Sequence, residues 1–221
     1  RSLGRYREAA ALTEQLLGLQ PERAVALETR LGEIYLELDE LEPAFKRLSS
    51  ALANSTDVAP LFPLLRRWAE ATRSWGFLAD TLRLHTNRSE LGQRVAMHTE
   101  LAWIDQYQLA DLIAASKSWQ AVLDDHQTPE QARSALEALA RIAHEREQWL
   151  PYIDTCRKLL PYLSPSERPA IEHGIGEVYL LHLSDPDQGL WWVERAEDAG
   201  FEDRQLAHNL EKIRASRDQW P

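Results

Sequence analysis

Hydrophobic residues recur three or four positions apart along most of the chain, which is typical of amphipathic helices rather than strands. Two adjacent stretches show the pattern most clearly. The first contains Leu27, Leu31, Ile34 and Leu38, and the second contains Leu41, Phe45, Leu48 and Leu52. Each stretch predicts a helix whose apolar stripe must be covered by another helix. The scarcity of Gly (9) and Pro (11) among 221 residues also favours helices over strands.

A short motif returns along the chain. Leu-Gly-Glu-Ile-Tyr at 31–35 reappears as Ile-Gly-Glu-Val-Tyr at 175–179. Pairs of an apolar and a small residue lie between these two copies, at Trp68-Ala69, Leu101-Ala102 and Leu139-Ala140. The successive copies are 33 to 38 residues apart, a period typical of stacked helix pairs. Such pairs bury their stripes against neighbouring pairs, so the pattern predicts a repeat protein.

Helix ends are marked by prolines and by capping side chains. Prolines that fall near predicted helix starts, where a missing N–H costs little, are Pro21, Pro60, Pro129, Pro165 and Pro186. Thr128 and Ser184-Asp185 offer oxygens that could cap the helices that follow. These marks predict helix-pair repeats at 22–57, 58–88, 89–127, 128–163 and 164–200. Residues 1–21 would be the second half of a preceding repeat and 201–221 a terminal helix, giving one unit, 1–221, of about twelve antiparallel helices.

The front of the chain resembles the tetratricopeptide repeat family, whose pattern places Leu-Gly and Tyr in the first helix of a pair. The matching residues are Leu31, Gly32, Tyr35, Ala44, Leu48 and Ala51. Gly4, Tyr6, Ala9 and Pro21 look like the second half of a preceding repeat. The resemblance covers nearly the whole chain. It implies an all-α, right-handed superhelical solenoid whose first helices line a concave groove that holds other proteins.

The match to this family weakens in the middle of the chain. Trp68-Ala69 stands where the family has Leu-Gly, and Asp105 stands where it has an aromatic residue. Asp105 either faces solvent or is an acid bound to a partner. We favour the solvent-facing interpretation, because buried carboxylates without a partner are rare.

Counting the family's groove positions from the Leu-Gly pair of each first helix gives a set of polar and aromatic residues. They are Glu33, Glu37, Arg66, Glu70, Arg73, Trp103, Gln106, Tyr107, Glu137, Arg141, His144, His173 and Glu177. Any one of these charges alone is better explained as part of a hydrated helix face. As a group on adjacent first helices they predict one continuous partner-binding surface, which we call the predicted groove.

Eight tryptophans are a distinctive feature of the composition. We expect Trp75, Trp119 and Trp149 to fill space between helix pairs, because Trp generally buries most of its area. For Trp103 packing and exposure are equally favoured, since it lies on the groove face. An exposed Trp103 could anchor a partner, because binding energy concentrates in a few Trp, Tyr and Arg side chains.

The formal net charge of -10 opposes nucleic acid and anionic membranes as partners. No apolar run approaches the roughly 20 residues that a membrane-spanning helix requires. Cys156 is the single cysteine, which excludes an internal disulfide and a multi-cysteine metal site, and we expect it to be buried rather than reactive. The first residues lack the apolar core of a signal peptide, and any targeting sequence is expected to precede this segment in a longer protein.

Motifs of enzymes, cofactor sites and metal sites are missing from the sequence. His144-Glu145 lacks the second His of a zinc-protease motif, and Asp124-Asp125-His126 is better explained as the end of a helix than as a metal site. The glycines are isolated, so that no phosphate-binding loop or serine elbow is present. The sequence therefore predicts no enzyme, no cofactor and no metal, although an enzyme that uses scattered carboxylates is not excluded by motifs alone.

The Trp-, Leu-, Ala- and Arg-rich texture is similar to that of repeat scaffolds in bacterial exopolysaccharide export, in particular the periplasmic part of Pel polysaccharide outer-membrane exporters. That similarity implies a periplasmic location, with the cytoplasm as the alternative, and contacts with enzymes that modify or synthesise the polymer. The leading hypothesis is a protein-binding scaffold. Its alternative is a module that binds polysaccharide directly, because sugar rings pack on aromatic faces.

Overall fold

A computed structural model of the protein describes residues 2–87 and 89–201. In these ranges the chain forms eleven α-helices, three short 3-10 helices and no strand. The α-helices are α1 (Ser2–Leu19), α2 (Ala24–Glu37), α3 (Leu41–Asn54), α4 (Phe62–Thr72), α5 (Trp75–Thr86), α6 (Leu91–Tyr107), α7 (Leu112–Asp125), α8 (Pro129–Glu145), α9 (Trp149–Leu159), α10 (Arg168–Leu181) and α11 (Pro186–Asp198). The all-α prediction is confirmed. Except for Phe201, the terminal helix predicted for 201–221 lies outside the described residues.

The chain divides into two compact units, unit 1 (Arg1–Asp125) and unit 2 (His126–Pro221). In unit 1, α2 packs on α3, α4 on α5, and α6 on α7, and α1 packs on α2. In unit 2, α8 packs on α9 and α10 on α11. Helices that pack side by side across such short connections run antiparallel. Each predicted repeat range contains one such pair, an arrangement compatible with tetratricopeptide-type repeats.

The core of unit 1 is built from the stripes that the periodicity predicts. Leu31 and Ile34 of α2 are buried and pack with Ala10 of α1. Leu48 of α3 and Leu65 of α4 belong to a second, larger cluster that extends through α5 and α6. Each helix pair therefore shares its apolar face with its neighbours, as expected for stacked pairs.

The recurring Leu-Gly and Ile-Gly pairs mark places where two helices of a pair approach closely. A methyl group at Gly32 would lie 2.5 Å from Cδ2 of Leu48 on the facing helix α3. A methyl group at Gly176 would lie 2.6 Å from Cγ2 of Val193 and 2.9 Å from the carbonyl oxygen of Gly189 on α11. At Gly176 the close atoms include backbone of α11, so that a side chain there would force the two helices apart, whereas at Gly32 the Leu48 side chain would have to shift.

Two of the predicted helix caps are formed. The Thr128 side chain accepts a hydrogen bond from the backbone N–H of Gln131, and the Gln131 side chain accepts one from the backbone N–H of Thr128, which together make a capping box for α8. The Asp185 side chain accepts a hydrogen bond from the backbone N–H of Gln188 at the start of α11. Pro129 and Pro186 occupy the first residues of these helices, where a missing N–H costs little.

The solvent-facing interpretation of Asp105 is wrong. Asp105 is fully buried, and its carboxylate accepts a hydrogen bond from Nη2 of Arg83 at 2.6 Å and a long one from Oγ of Ser118 at 3.4 Å. Burial raises the pKa of Asp105 above its ordinary value, while the Arg83 hydrogen bond limits the rise. The acid is bound to a partner inside the protein, which was the less favoured alternative.

The tryptophans divide between core and surface. Trp68 and Trp192 are buried, and Trp75, Trp119 and Trp149 are half-buried at helix interfaces, in keeping with the packing role expected of the last three. The buried Trp68 donates a hydrogen bond from Nε1 to the carbonyl oxygen of Leu41, at 2.9 Å. Cys156 is buried in unit 2, as predicted. None of the helices within the described ranges combines the length and apolar character that crossing a bilayer requires.

Candidate partner-binding surface

Three of the residues in the predicted groove contact one another in unit 1. The guanidinium carbon of Arg66 on α4 lies 4.1 Å from the centroid of the Trp103 ring on α6. The ring of Tyr107, four residues further along α6, lies 6.2 Å from that of Trp103. Trp75, the first residue of α5, packs edge-on against Trp103 at 5.8 Å. The sequence therefore placed Arg66, Trp103 and Tyr107 on a common surface, and the fold adds Trp75.

A nearly buried acid fixes Arg66 in this position. Glu100 on α6 accepts hydrogen bonds from Nε and Nη2 of Arg66, at 2.6 and 2.5 Å. Its side chain is only 4% exposed, whereas that of Arg66 is 40% exposed. Glu100 and Trp103 lie three residues apart and so share one side of the helix. We refer to Arg66, Trp75, Glu100, Trp103 and Tyr107 as the aromatic–arginine cluster.

The cluster is preformed and partly accessible. Two-point pairing with Glu100 holds the guanidinium plane, and stacking on Trp103 adds a cation–π contact. Hydrogen bonding to Glu100 is the main cause of the raised pKa of Arg66, so the side chain keeps its charge. Tyr107 is 54% exposed, and Trp103 is half-buried. A partner would therefore meet a fixed cation beside aromatic rings.

An ion pair joins the first helices α2 and α4 of unit 1. The helix α2 contacts α4, and Nη1 of Arg67 donates a hydrogen bond to Oε1 of Glu37 at 2.6 Å. Glu33, one turn before Glu37, pairs with Arg30 on the same helix. Glu33 and Glu37 are therefore both engaged in ion pairs rather than left free for a partner.

The remaining predicted groove residues of unit 1 have varied environments. Glu70 and Arg73 are exposed. Arg73 ends α4 in the left-handed conformation, with φ of 53°. Gln106 is half-buried and accepts a hydrogen bond from Nε1 of Trp119 at 3.4 Å. These residues border the cluster along the chain, and within the described ranges no hydrogen bond, ion pair or ring contact joins them to it.

In unit 2 the predicted groove residues do not form one cluster. Glu137 is exposed and accepts a hydrogen bond from Arg133 at 2.8 Å. Arg141 and Glu177 are exposed. His173 is only 6% exposed and its ring packs 4.7 Å from that of Phe201, so it presents little surface to a partner.

His144 is the residue of unit 2 that lies in an aromatic environment. Its ring is 5.4 Å from those of Trp149 and Tyr152, and edge-on to both. His182 stacks on Trp149, with the two ring centroids 3.8 Å apart. In the described ranges, no group of three or more His, Cys, Asp or Glu side chains could hold a metal ion.

Sequence reasoning missed two members of the aromatic–arginine cluster, Glu100 and Trp75. The position of Glu100, one helical turn before Trp103, was an available signal, but it does not reveal an arginine 34 residues earlier. Trp75 was expected to pack between helix pairs, which it does, and the ring that it packs against is Trp103.

In comparisons with known proteins, no family model and no curated protein matches this sequence. A solved structure of a monomeric mutant of IFIT1 with Gppp-AAAA is similar to the chain, with a TM-score of 0.43 and 13% sequence identity. The similarity covers 94% of this chain and 50% of the other, so this chain spans about half the length of that structure.

Proposed function

We propose that this chain is a non-catalytic scaffold that binds a protein partner through the aromatic–arginine cluster of unit 1. The observation that carries the proposal is the position of Arg66, which is held by Glu100 and stacked on Trp103 beside the exposed Tyr107. Trp, Tyr and Arg are the residue types in which binding energy concentrates at protein interfaces. Because the side chains are already ordered, association would lose little conformational entropy.

Affinity capture with three forms of the protein tests this proposal. Wild type, the Trp103→Ala/Tyr107→Ala variant and a Leu84→Ala control are used as bait, and bound proteins are quantified by mass spectrometry. Leu84 is a suitable control because it is 56% exposed on α5 of the same unit but outside the cluster. We expect a specific protein to be retained by wild type and by Leu84→Ala and reduced at least about tenfold in the double variant.

The single variant Tyr107→Ala distinguishes loss of the binding surface from loss of the fold. Trp103 packs against Trp75, so its replacement could also disturb the fold, whereas Tyr107 is more exposed. Helix content and the unfolding midpoint of each variant are measured by circular dichroism. If all folded variants retain the same proteins in the same amounts, the assignment of the cluster as the binding surface is wrong.

We further propose that the scaffold serves bacterial exopolysaccharide export in the periplasm, where the bound protein would be an enzyme that modifies or synthesises the polymer. This proposal is supported by the similarity of the Trp-, Leu-, Ala- and Arg-rich composition of the repeats to that of scaffolds in that process. Fractionation of cells that produce the full-length protein tests the location. A protein found only in the cytoplasmic fraction, or a captured partner that is confined there, contradicts this part of the proposal.

Direct polysaccharide binding is the second candidate function, and the observation that favours it is the exposure of Tyr107 beside Trp103. Sugar rings can pack on such faces and hydrogen-bond to carboxylates and arginine nearby. Titration with oligosaccharides while tryptophan fluorescence is followed distinguishes the two functions. An unchanged signal at millimolar sugar excludes this candidate and leaves protein binding.

A further inference from the structure

Unit 1 contains a cleft between α5 and α7, with α6 as its floor. Two cavities of about 300 and 350 Å³ form it, and both are lined by Arg83, Lys117 and Ser118. The first cavity is also lined by His98 and the second by Asp105. Their volumes lie at the lower end of the range typical of small-molecule sites. None of these side chains belongs to the aromatic–arginine cluster, so the cleft can be considered independently of it.

Lys117 is the cation of this cleft that is available to a ligand. Its side chain is exposed and makes no ion pair with any residue of the described ranges. Arg83, in contrast, already donates hydrogen bonds to Asp105 at 2.6 Å and to Asp80 at 2.9 Å. A ligand that enters the cleft therefore meets the positive charge of Lys117, which no residue of the described ranges pairs.

The acids of the cleft limit how much negative charge a ligand can bring. Asp105 is buried against Arg83. Asp111 lines the second cavity, and its Oδ1 accepts hydrogen bonds from the backbone N–H groups of Ile113 and Ala114. Like charges in close proximity repel, so these two carboxylates disfavour a dianion such as phosphate. Among the described residues that line the cleft, Lys117 is the cation without an ion-pair partner, and a ligand with a single negative charge matches it.

The rest of the lining is mixed, since the first cavity also has the polar residues Thr86 and Asn87, and the second has Ala114. Leu101 lines the first cavity, and Ile113, which is 54% exposed, lines the second. In the first cavity, Nδ1 of His98 is buried and has no hydrogen-bond partner in the described structure. Burial lowers the pKa of His98, which keeps the ring neutral at pH 7, so that His98 adds no positive charge to the first cavity.

We propose that the cleft binds a small monocarboxylate whose carboxylate pairs with Lys117 and whose apolar stem lies along Ile113, four residues before Lys117 on α7. The exposed Ile113 beside Lys117 fits a compact acid, because ligand sites combine apolar side chains with polar groups that orient the ligand.

Hexanoate is a suitable probe, and its neutral counterpart hexanamide and inorganic phosphate are the comparisons. Binding is followed by the shifts of backbone amide signals in ¹⁵N-labelled protein during titration. We expect hexanoate to shift signals of residues on α5, α6 and α7 that line the cleft, and to bind at least about tenfold more tightly than hexanamide or phosphate. Equal affinity for hexanoate and hexanamide, or tighter binding of phosphate, would overturn the proposal.

The variant Lys117→Met removes the charge but keeps a long apolar side chain with good helix propensity. We expect it to weaken hexanoate binding at least about tenfold. Lys46→Met is the matched control, because Lys46 is also an exposed lysine on a helix of unit 1 but lies outside the cleft. Retained affinity in Lys117→Met, or the same loss in both variants, contradicts the role of Lys117.

Discussion

Glu100 accepts two hydrogen bonds from Arg66, from Nε at 2.6 Å and from Nη2 at 2.5 Å. The neighbouring Arg67 makes a single hydrogen bond to Glu37, at 2.6 Å. The two ion pairs differ in burial, since the Glu100 side chain is 4% exposed and that of Glu37 is 37% exposed. Two consecutive arginines of α4 thus offer a matched comparison of a buried and an exposed acid.

Replacing Arg66 should destabilise the protein more than replacing Arg67. In Arg66→Ala the carboxylate of Glu100 stays buried without its donors, which costs about 1–3 kcal/mol of unfolding free energy. Because the Arg66 side chain is half-exposed, this loss of unfolding free energy should be smaller than the loss from breaking a fully buried ion pair. Arg67→Ala breaks an exposed pair and should cost less than about 1 kcal/mol. Urea unfolding followed by circular dichroism measures both, and equal losses would show that burial of Glu100 has no energetic consequence.

Gly176→Ala should destabilise unit 2. The new methyl group would meet Cγ2 of Val193 at 2.6 Å and backbone atoms of α11 at 2.9 and 3.1 Å, and backbone cannot move aside cheaply. We expect a loss of about 1–3 kcal/mol. Gly174→Ala is the control on the same helix, because its methyl group meets only the hydroxyl tip of Tyr152, at 2.9 Å. The unfolding free energy of Gly174→Ala should stay within about 1 kcal/mol of that of wild type, since alanine also favours the helix.

Denaturant unfolding of the two glycine variants checks this prediction. The comparison is made on unfolding of the full chain, and both positions lie in unit 2. If Gly174→Ala proves as damaging as Gly176→Ala, close approach of α10 and α11 at Gly176 is not the reason for glycine there.

Much of the fold follows from local sequence patterns. The spacing of Leu27, Leu31 and Ile34 predicts which face of α2 is buried, and Thr128 predicts where α8 begins, because both depend on residues within a few turns of one helix. The recurrence of Gly32 and Gly176 predicts repeats because each pair of helices must solve the same packing problem.

The polar contacts between helices could not be predicted in this way. Arg83 reaches Asp105 across 22 residues of sequence, and Arg66 reaches Glu100 across 34. Helical spacing indicates the face on which a residue lies, but it does not indicate which side chain of the next helix meets it. For this reason Asp105 was assigned to solvent, and Glu100 was not recognised as the residue that positions Arg66.

Glu167 should make the stability of unit 2 depend on pH in the acid range. Its carboxylate accepts hydrogen bonds from Arg133 at 2.6 Å and from the Ser164 hydroxyl at 2.7 Å. These hydrogen bonds, that from Arg133 above all, lower the pKa of Glu167 from 4.5 to about 2. Because the pKa is lower in the folded protein, the stabilisation is present above about pH 4.5 and is lost as pH falls towards 2.

The Glu167→Gln variant tests the pH dependence. We expect wild type to be more stable than Glu167→Gln by a constant amount above about pH 5, and this difference to shrink towards zero as pH falls towards 2. Urea unfolding at a series of pH values measures it. Glu145→Gln serves as control, since Glu145 is exposed and makes no ion pair within the described ranges. If the unfolding free energies of Glu167→Gln and wild type differ by the same amount at every pH, the lowered pKa assigned to Glu167 is wrong.

Cys156 should be unreactive in the folded protein. The side chain is 1% exposed, and burial raises the pKa of its thiol from 9.0 to about 11. Since the thiolate is the reactive form, ionisation alone should slow its modification at pH 8 about a hundredfold, and exclusion of the reagent from the core should slow it further. The release of a coloured thiolate from an aromatic disulfide reagent measures the rate, in buffer and in urea. Modification in buffer as fast as in urea would mean that the packing around Cys156 opens freely, which is incompatible with its position between Ile153 and Leu159 on the buried face of α9.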